Sequence, residues 1–186
     1  SGRWLIAGVF VFACLWKFWF SDHYTGGSFF EVTFLTDPRF EGFVRVTGGL
    51  DAEAYAELSG HVEQHRDAPP PFDESAPSVP ARFVALAAAA TAWNLFINAA
   101  LAFAFAWPGS NRRLLDARHV LLLIYCAITY AVATVEGFGW LLLAMGVAQC
   151  RPGQRGLRYA YVAVFVLIIA YREGPWADEL WLPLME

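Results

Sequence analysis

Long apolar runs broken by short polar segments set the pattern of this chain. The first run extends from Trp4 to Phe20 and, at 1.5 Å per residue, makes a helix of about 26 Å, just long enough to cross ~30 Å of hydrocarbon. The second, Phe83 to Trp107, is flanked by Arg82 and closes on Trp107-Pro108-Gly109, an interfacial aromatic followed by helix breakers. The third, His119 to Cys150, would form a helix of about 48 Å if continuous, longer than the bilayer core requires. The fourth, Leu157 to Tyr171, reaches only about 22 Å and is bracketed by Arg158 and Arg172, whose stems can carry their charges to the interface.

Between the first two runs lies the main polar region. Gly26 to Leu35 has strand-like composition, or could lie on the membrane surface; Asp37-Pro38 and Gly48-Gly49 mark turns. Leu50 to His65 predicts a short helix, because Asp51 can cap it and Leu50, Ala54, Leu58 and Val62 recur every four residues. Residues 68–80 form a proline-rich connector that cannot hold a helix.

Composition turns these runs into a class. The chain is 58% hydrophobic and only 16% charged over 186 residues, where a soluble domain carries about 25% charged residues. The expected fold is an all-α integral membrane protein, a bundle of four transmembrane helices with five as the alternative and one long extracytoplasmic loop. The expected boundaries are helix 1 over 1–20, an acidic loop over 21–82 and helix 2 over 83–107. A basic loop over 108–118 follows, then a third segment over 119–150, helix 4 over 157–172 and an interfacial tail over 173–186 anchored by Trp176 and Trp181. An N-terminal apolar run could also be a signal peptide, but Lys17, the aromatics around it and the lack of an Ala-x-Ala pattern favour a retained span.

Charge supplies orientation. Residues 21–82 hold eleven Asp/Glu against four Arg, whereas 109–118 hold three Arg and one Asp. The positive-inside tendency then places Arg112, Arg113 and Arg118 in the cytoplasm of a bacterial inner membrane, with the N-terminus also inside and the acidic loop outside. An acidic loop is a poor binder of nucleic acid, which needs a basic surface. A single crossing of 119–150 leaves Arg151, Arg155 and Arg158 outside; two crossings bring them inside but leave arms shorter than the usual ~20 residues. Length favours one crossing and charge favours two. Taken together, they favour one.

Few residues carry candidate chemistry. Lys17 and Glu136 are the ionisable groups deepest in apolar context, where a charge costs at least about 2.5–3.5 kcal/mol unless it finds a partner or a cavity. Lys17 can instead reach the outer interface. Glu136 is a buried polar group if 119–150 is one helix; in a hairpin it tops a turn, with Gly137 and Gly139 supplying backbone freedom. Asn94 and Asn98, four apart, share a helix face and serve as interhelical hydrogen-bond groups or as a polar contact for a quinone, lipid or pigment. His61 and His65 have a metal-chelating spacing, with Glu57 one turn earlier, though no zincin motif is present. His119 could ligate a haem or pigment or simply sit at the interface. Cys14, Cys126 and Cys150 show no disulfide or zinc-ribbon spacing.

The opening Arg3-Trp-Leu-Ile-Ala-Gly-Val-Phe-Val-Phe-Ala-Cys-Leu-Trp-Lys17 resembles the first helix of small bacterial membrane proteins of the DoxX and HTTM type. That resemblance implies a small multi-helix membrane fold and carries no site residue. With no nucleophile, phosphate loop or carboxylate dyad, the reading is a non-catalytic accessory subunit of a larger bacterial membrane complex, its partners being lipids and other subunits. The alternatives are a small membrane enzyme or redox protein binding a quinone, lipid or pigment near Glu136, Asn94 and Asn98, and a metal or haem carrier.

Overall fold

A computed structural model describes residues 2–64, 78–109, 112–130 and 136–173. Among these residues every regular element is helical, in agreement with the all-α expectation. In chain order they are α1 (Gly2–Trp19), α2 (Asp22–Thr25), α3 (Ser28–Thr36), a 3-10 turn (Pro38–Phe40), α4 (Glu41–Gly48) and α5 (Ala52–Gln64). Then come α6 (Ala81–Ala106), α7 (Arg112–Tyr130), α8 (Glu136–Gln149) and α9 (Arg155–Glu173). The chain divides into two compact units, one built from Ser1–Trp16 with Leu95–Pro175, the other containing Lys17–Asn94. Helices α1 and α6 are long and apolar enough to cross a membrane.

The first unit is an antiparallel arrangement around one apolar core. Ile6, Ala7 and Phe10 of α1, Leu101 and Phe105 of α6, Leu122 and Cys126 of α7, Leu142 of α8 and Tyr161 and Ile168 of α9 all bury there. Direction follows from pairs. Tyr130 stacks edge-on against Phe138, so α8 returns along α7, while Gln154 donates to Asp116 (3.0 Å), so α9 runs parallel to α7. Phe10 meets Tyr125 edge-to-face at 5.0 Å, and Arg3 donates to the Trp107 carbonyl (3.4 Å). The starts of α1, α7 and α9 and the ends of α6 and α8 therefore share one end of this unit.

The apolar run 119–150 is thus two helices, α7 and α8, and not the single long helix that its length suggested. Residues 131–135, between them, lie outside the described residues. Gly139 also has a different role from the turn residue expected of it. It lies within α8, and a Cβ there would stand 2.6 Å from Cγ of Tyr130, so its missing side chain admits an aromatic ring.

The second unit corrects one expectation. Gly26–Leu35 is not a strand: Gly27 turns the chain with φ +83°, and Ser28–Thr36 then coils into α3. Aromatic and β-branched residues raise strand tendency only weakly, and packing decides. Phe30 and Phe34 lie one helical turn apart, and Phe34 meets Phe40 at 5.1 Å, which only a helical segment arranges. Phe34, Leu35, Val44, Leu58, Val62 and Phe83 form a buried core in this unit. Helix α5 forms as the periodicity predicts, with Asp51 accepting from the Ala54 amide at 2.8 Å as N-cap. Ser59 hydroxyl donates to the Leu35 carbonyl (2.6 Å) and Tyr55 to that of Phe34 (3.4 Å), tying α5 to the last turn of α3. Pro80 precedes α6 and accepts from the Phe83 amide at 2.9 Å. The rest of the proline-rich connector up to residue 77, His65 and the tail with Trp176 and Trp181 fall outside the described residues.

Candidate functional site

Two polar groupings interrupt the apolar interior. The buried stripe of α1 runs through Ile6, Ala7 and Phe10, and Lys17 lies one further heptad along it. The buried stripe of α6 runs through Ala87, Thr91, Asn98 and Leu101, with Asn94 on the same face. Lys17 Nζ donates to Asn94 Oδ1, and the ammonium also lies 4.9 Å from the centre of the Tyr24 ring. A charge-assisted hydrogen bond and a cation–π contact together offset the cost of holding the ammonium part-buried. Lys17 therefore turns inward to a partner instead of reaching for the interface. Asn98 is fully buried one turn beyond Asn94.

The second grouping lies where the helix ends converge in the first unit. His119 is 2% exposed and its Nδ1 is hydrogen-bonded to the Tyr161 hydroxyl at 2.8 Å, with the rings edge-to-face. Gly146 makes that contact feasible: a Cβ there would lie 2.4 Å from the Tyr161 ring. His119 is therefore a buried, hydrogen-bonded residue whose Nδ1 is already engaged. Next to it Arg118 is 8% exposed, with its guanidinium 5.5 Å from the centre of the Phe105 ring. Among the described residues its Nε and Nη1 have no hydrogen-bond partner. Arg3 and Arg151 act on it as like charges, and Asp116 is its acidic neighbour.

The remaining candidates are dispersed. Glu136 is the first residue of α8, and its side chain lies outside the described residues. His61 and the exposed Glu57 share one face of α5, but His65, the third member of the suggested set, is not described. Among the described residues no group of three His, Cys, Asp or Glu side chains comes together as a metal site. Outside the helical spans, Asp37 accepts from the Arg39 backbone and guanidinium, which holds its carboxyl below the usual range. Burial, reinforced by Glu41 and Asp37, pushes the Tyr55 phenol up to about 12.

Arg118 and Tyr161 did not emerge from sequence reasoning. A signal for Arg118 was present: residues 118, 122 and 125 follow the helical spacing of the buried stripe, so the stripe continues into the basic segment. In comparison with known proteins, the chain matches no family model, no curated protein and no solved structure.

Proposed function

We propose that the chain is an integral membrane protein of five spans, α1, α6, α7, α8 and α9, acting as a non-catalytic packing subunit of a larger bacterial inner-membrane assembly. The observation that carries the membrane reading is the outside of the helices. Phe12 is 65% exposed, Phe96 63% and Val166 56%, with Leu5, Ile128 and Leu141 likewise open although the core beneath them is filled. Soluble proteins rarely leave contiguous apolar surface of this kind, whereas lipid solvates it.

The antiparallel course of α7 and α8 supports five spans rather than four. That course gathers Arg3, Arg113, Arg118, Arg151, Arg155 and Arg158 at one end, against Asp116 alone among the acids discussed there. Such one-sided sorting is the positive-inside pattern, so this end is cytoplasmic and segment 21–82 is outside. Helix α8, with 14 residues and about 21 Å, is short for a span and is accommodated by local thinning and by flanking residues.

The subunit role is favoured over catalysis because two of the interior polar pairs are engaged internally, Lys17 with Asn94 and His119 with Tyr161. The exposed Trp4, Trp16 and Trp19 on α1 offer large aromatic contacts to neighbouring subunits or to the interface. Purification from native membrane in mild detergent tests the role: co-purifying membrane subunits are expected, and a chain that runs alone and monodisperse refutes it. Thiol labelling tests topology in a Cys14→Ala background, since Cys126 and Cys150 are buried. R155C should label only from the cytoplasm and E136C only from outside. Labelling of both from one side removes the five-span reading.

A further inference from the structure

A buried guanidinium without an acceptor costs several kcal/mol, so native proteins almost always supply one. Arg118 is over nine-tenths buried, its Nε and Nη1 lack a partner among the described residues, and Arg3 and Arg151 act on it as like charges. Asp116, the neighbouring acid, already accepts from the Gln154 side chain at 3.0 Å. The Phe105 ring covers one side of the guanidinium. A cationic group is therefore held in place by packing, flanked by two further arginines, with no hydrogen-bonded anion at its Nε or Nη1 among the described residues.

We propose that Arg118, with Arg3 and Arg151, forms a binding site for a phosphate group, the headgroup phosphate of an anionic phospholipid being the source that fits its position. Each of these N–H groups can donate a charge-assisted hydrogen bond to a phosphate oxygen, and the two flanking arginines supply diffuse attraction. The site lies at the helix end where α7 and α9 begin, so their N-terminal dipoles add to the same field. The choice of a lipid as source rests on the membrane reading above. The phosphate chemistry does not.

The test uses the full chain in dodecyl maltoside, with thermal midpoints read from tryptophan fluorescence. Dioleoyl-phosphatidylglycerol, a neutral glucosyl-diacylglycerol and inorganic phosphate are titrated separately into wild type, R118M and R113Q. Wild type should gain midpoint saturably with phosphatidylglycerol but not with the glycolipid. R113Q, which removes an exposed arginine near the same end, should keep that gain. R118M should shift half-saturation to about tenfold higher lipid or more, as loss of a charge-assisted hydrogen bond predicts. An equal response to inorganic phosphate, lost in R118M, keeps the phosphate site and assigns it to the free anion, even if the membrane reading fails on the labelling test. No response in wild type, an equal response to the glycolipid or an undiminished response in R118M overturns the proposal. Should R118M fail to fold, R118K keeps the charge and loses the fork. An unchanged half-saturation in R118K then overturns the proposal equally.

Discussion

Replacing Gly146 by alanine probes a contact at the end of the first unit where α7 and α9 begin. The added methyl would lie 2.4 Å from Cε1, 2.5 Å from Cζ and 2.7 Å from the hydroxyl oxygen of Tyr161. Carbon pairs settle at about 3.5–4.0 Å, so the ring has to withdraw by at least about 1 Å. Tyr161 is 1% exposed and cannot swing into open space. Its 2.8 Å hydrogen bond to His119 is then stretched or broken.

The magnitudes can be set against one another. Overpacking costs about 1–3 kcal/mol, and a buried hydrogen bond left unmade costs about 1–3 kcal/mol more. Alanine returns about 1 kcal/mol of helix propensity. The net loss is about 1–5 kcal/mol, so the propensity gain does not win. For a chain of this size a loss near 3 kcal/mol lowers the midpoint by about 6–12 °C, well resolved by tryptophan fluorescence in detergent. The double variant G146A/Y161L, which removes the opposing ring, should lose less than the sum of the single changes, because the two sites touch. Equal stability of G146A and wild type, or strict additivity in the double variant, refutes the packing described here.

Two further outcomes follow from the second unit. Asn94→Leu removes the Oδ1 acceptor of the Lys17 ammonium beside Tyr24 and should lower stability by about 1–3 kcal/mol, whereas K17M/N94L should recover most of that loss, since removing both partners is far cheaper than removing one; a double variant less stable than N94L alone contradicts the pairing. Asp37 has a carboxyl lowered from 3.8 by its Arg39 partner, so its stabilisation is present above that value and is lost as pH falls below about 4. The side chains are partly exposed and the pair contributes under about 1 kcal/mol. Amide protection factors across residues 37–48, with the intrinsic pH dependence of exchange divided out, should be lower at pH 3 than at pH 6 in wild type, and D37N should show the lower protection at pH 6 already.

What was legible in the sequence and what was not divide along physical lines. Apolar runs mark helices reliably because burial in lipid or core needs continuous apolar length, and α1 and α6 fall within two residues of their expected bounds. Asp51 as a cap was legible because capping is local, a side chain two or three residues from the amide it serves. Residues 26–35 were misread because the signal there was compositional, while the deciding interactions are ring contacts with Phe40 and Phe43 across a turn. The partner of Lys17 lies 77 residues away and that of His119 lies 42 away, separations at which spacing rules say nothing. For the same reason Tyr161 looked like one more aromatic of an apolar helix.

The division of 119–150 was the hardest to see, because length and charge pointed in opposite directions. Arms of fewer than 20 residues argue against two crossings, and they do so through a small penalty: mismatch costs fractions of a kcal/mol per ångström. Leaving three arginines on the outer side argues against one crossing through orientation at insertion, a bias that acts on every short loop. Gly139 distinguishes one helix from two on different grounds. In a single helix Tyr130 and residue 139 would be separated by about 13 Å along the axis, and an aromatic ring could not occupy the space that the missing Cβ leaves. The ring does occupy it, so the glycine that looked like turn chemistry is the residue that lets α7 and α8 close on each other. The arginines of two separate segments converge as a consequence. The convergence in turn gathers cationic side chains around Arg118, whose Nε and Nη1 lack a hydrogen-bond partner among the described residues. The unanswered charge on Arg118 is thus a result of how the third apolar run folds, and a variant that keeps α7 and α8 apart, Gly139→Leu, should abolish the response to phosphatidylglycerol without touching any arginine.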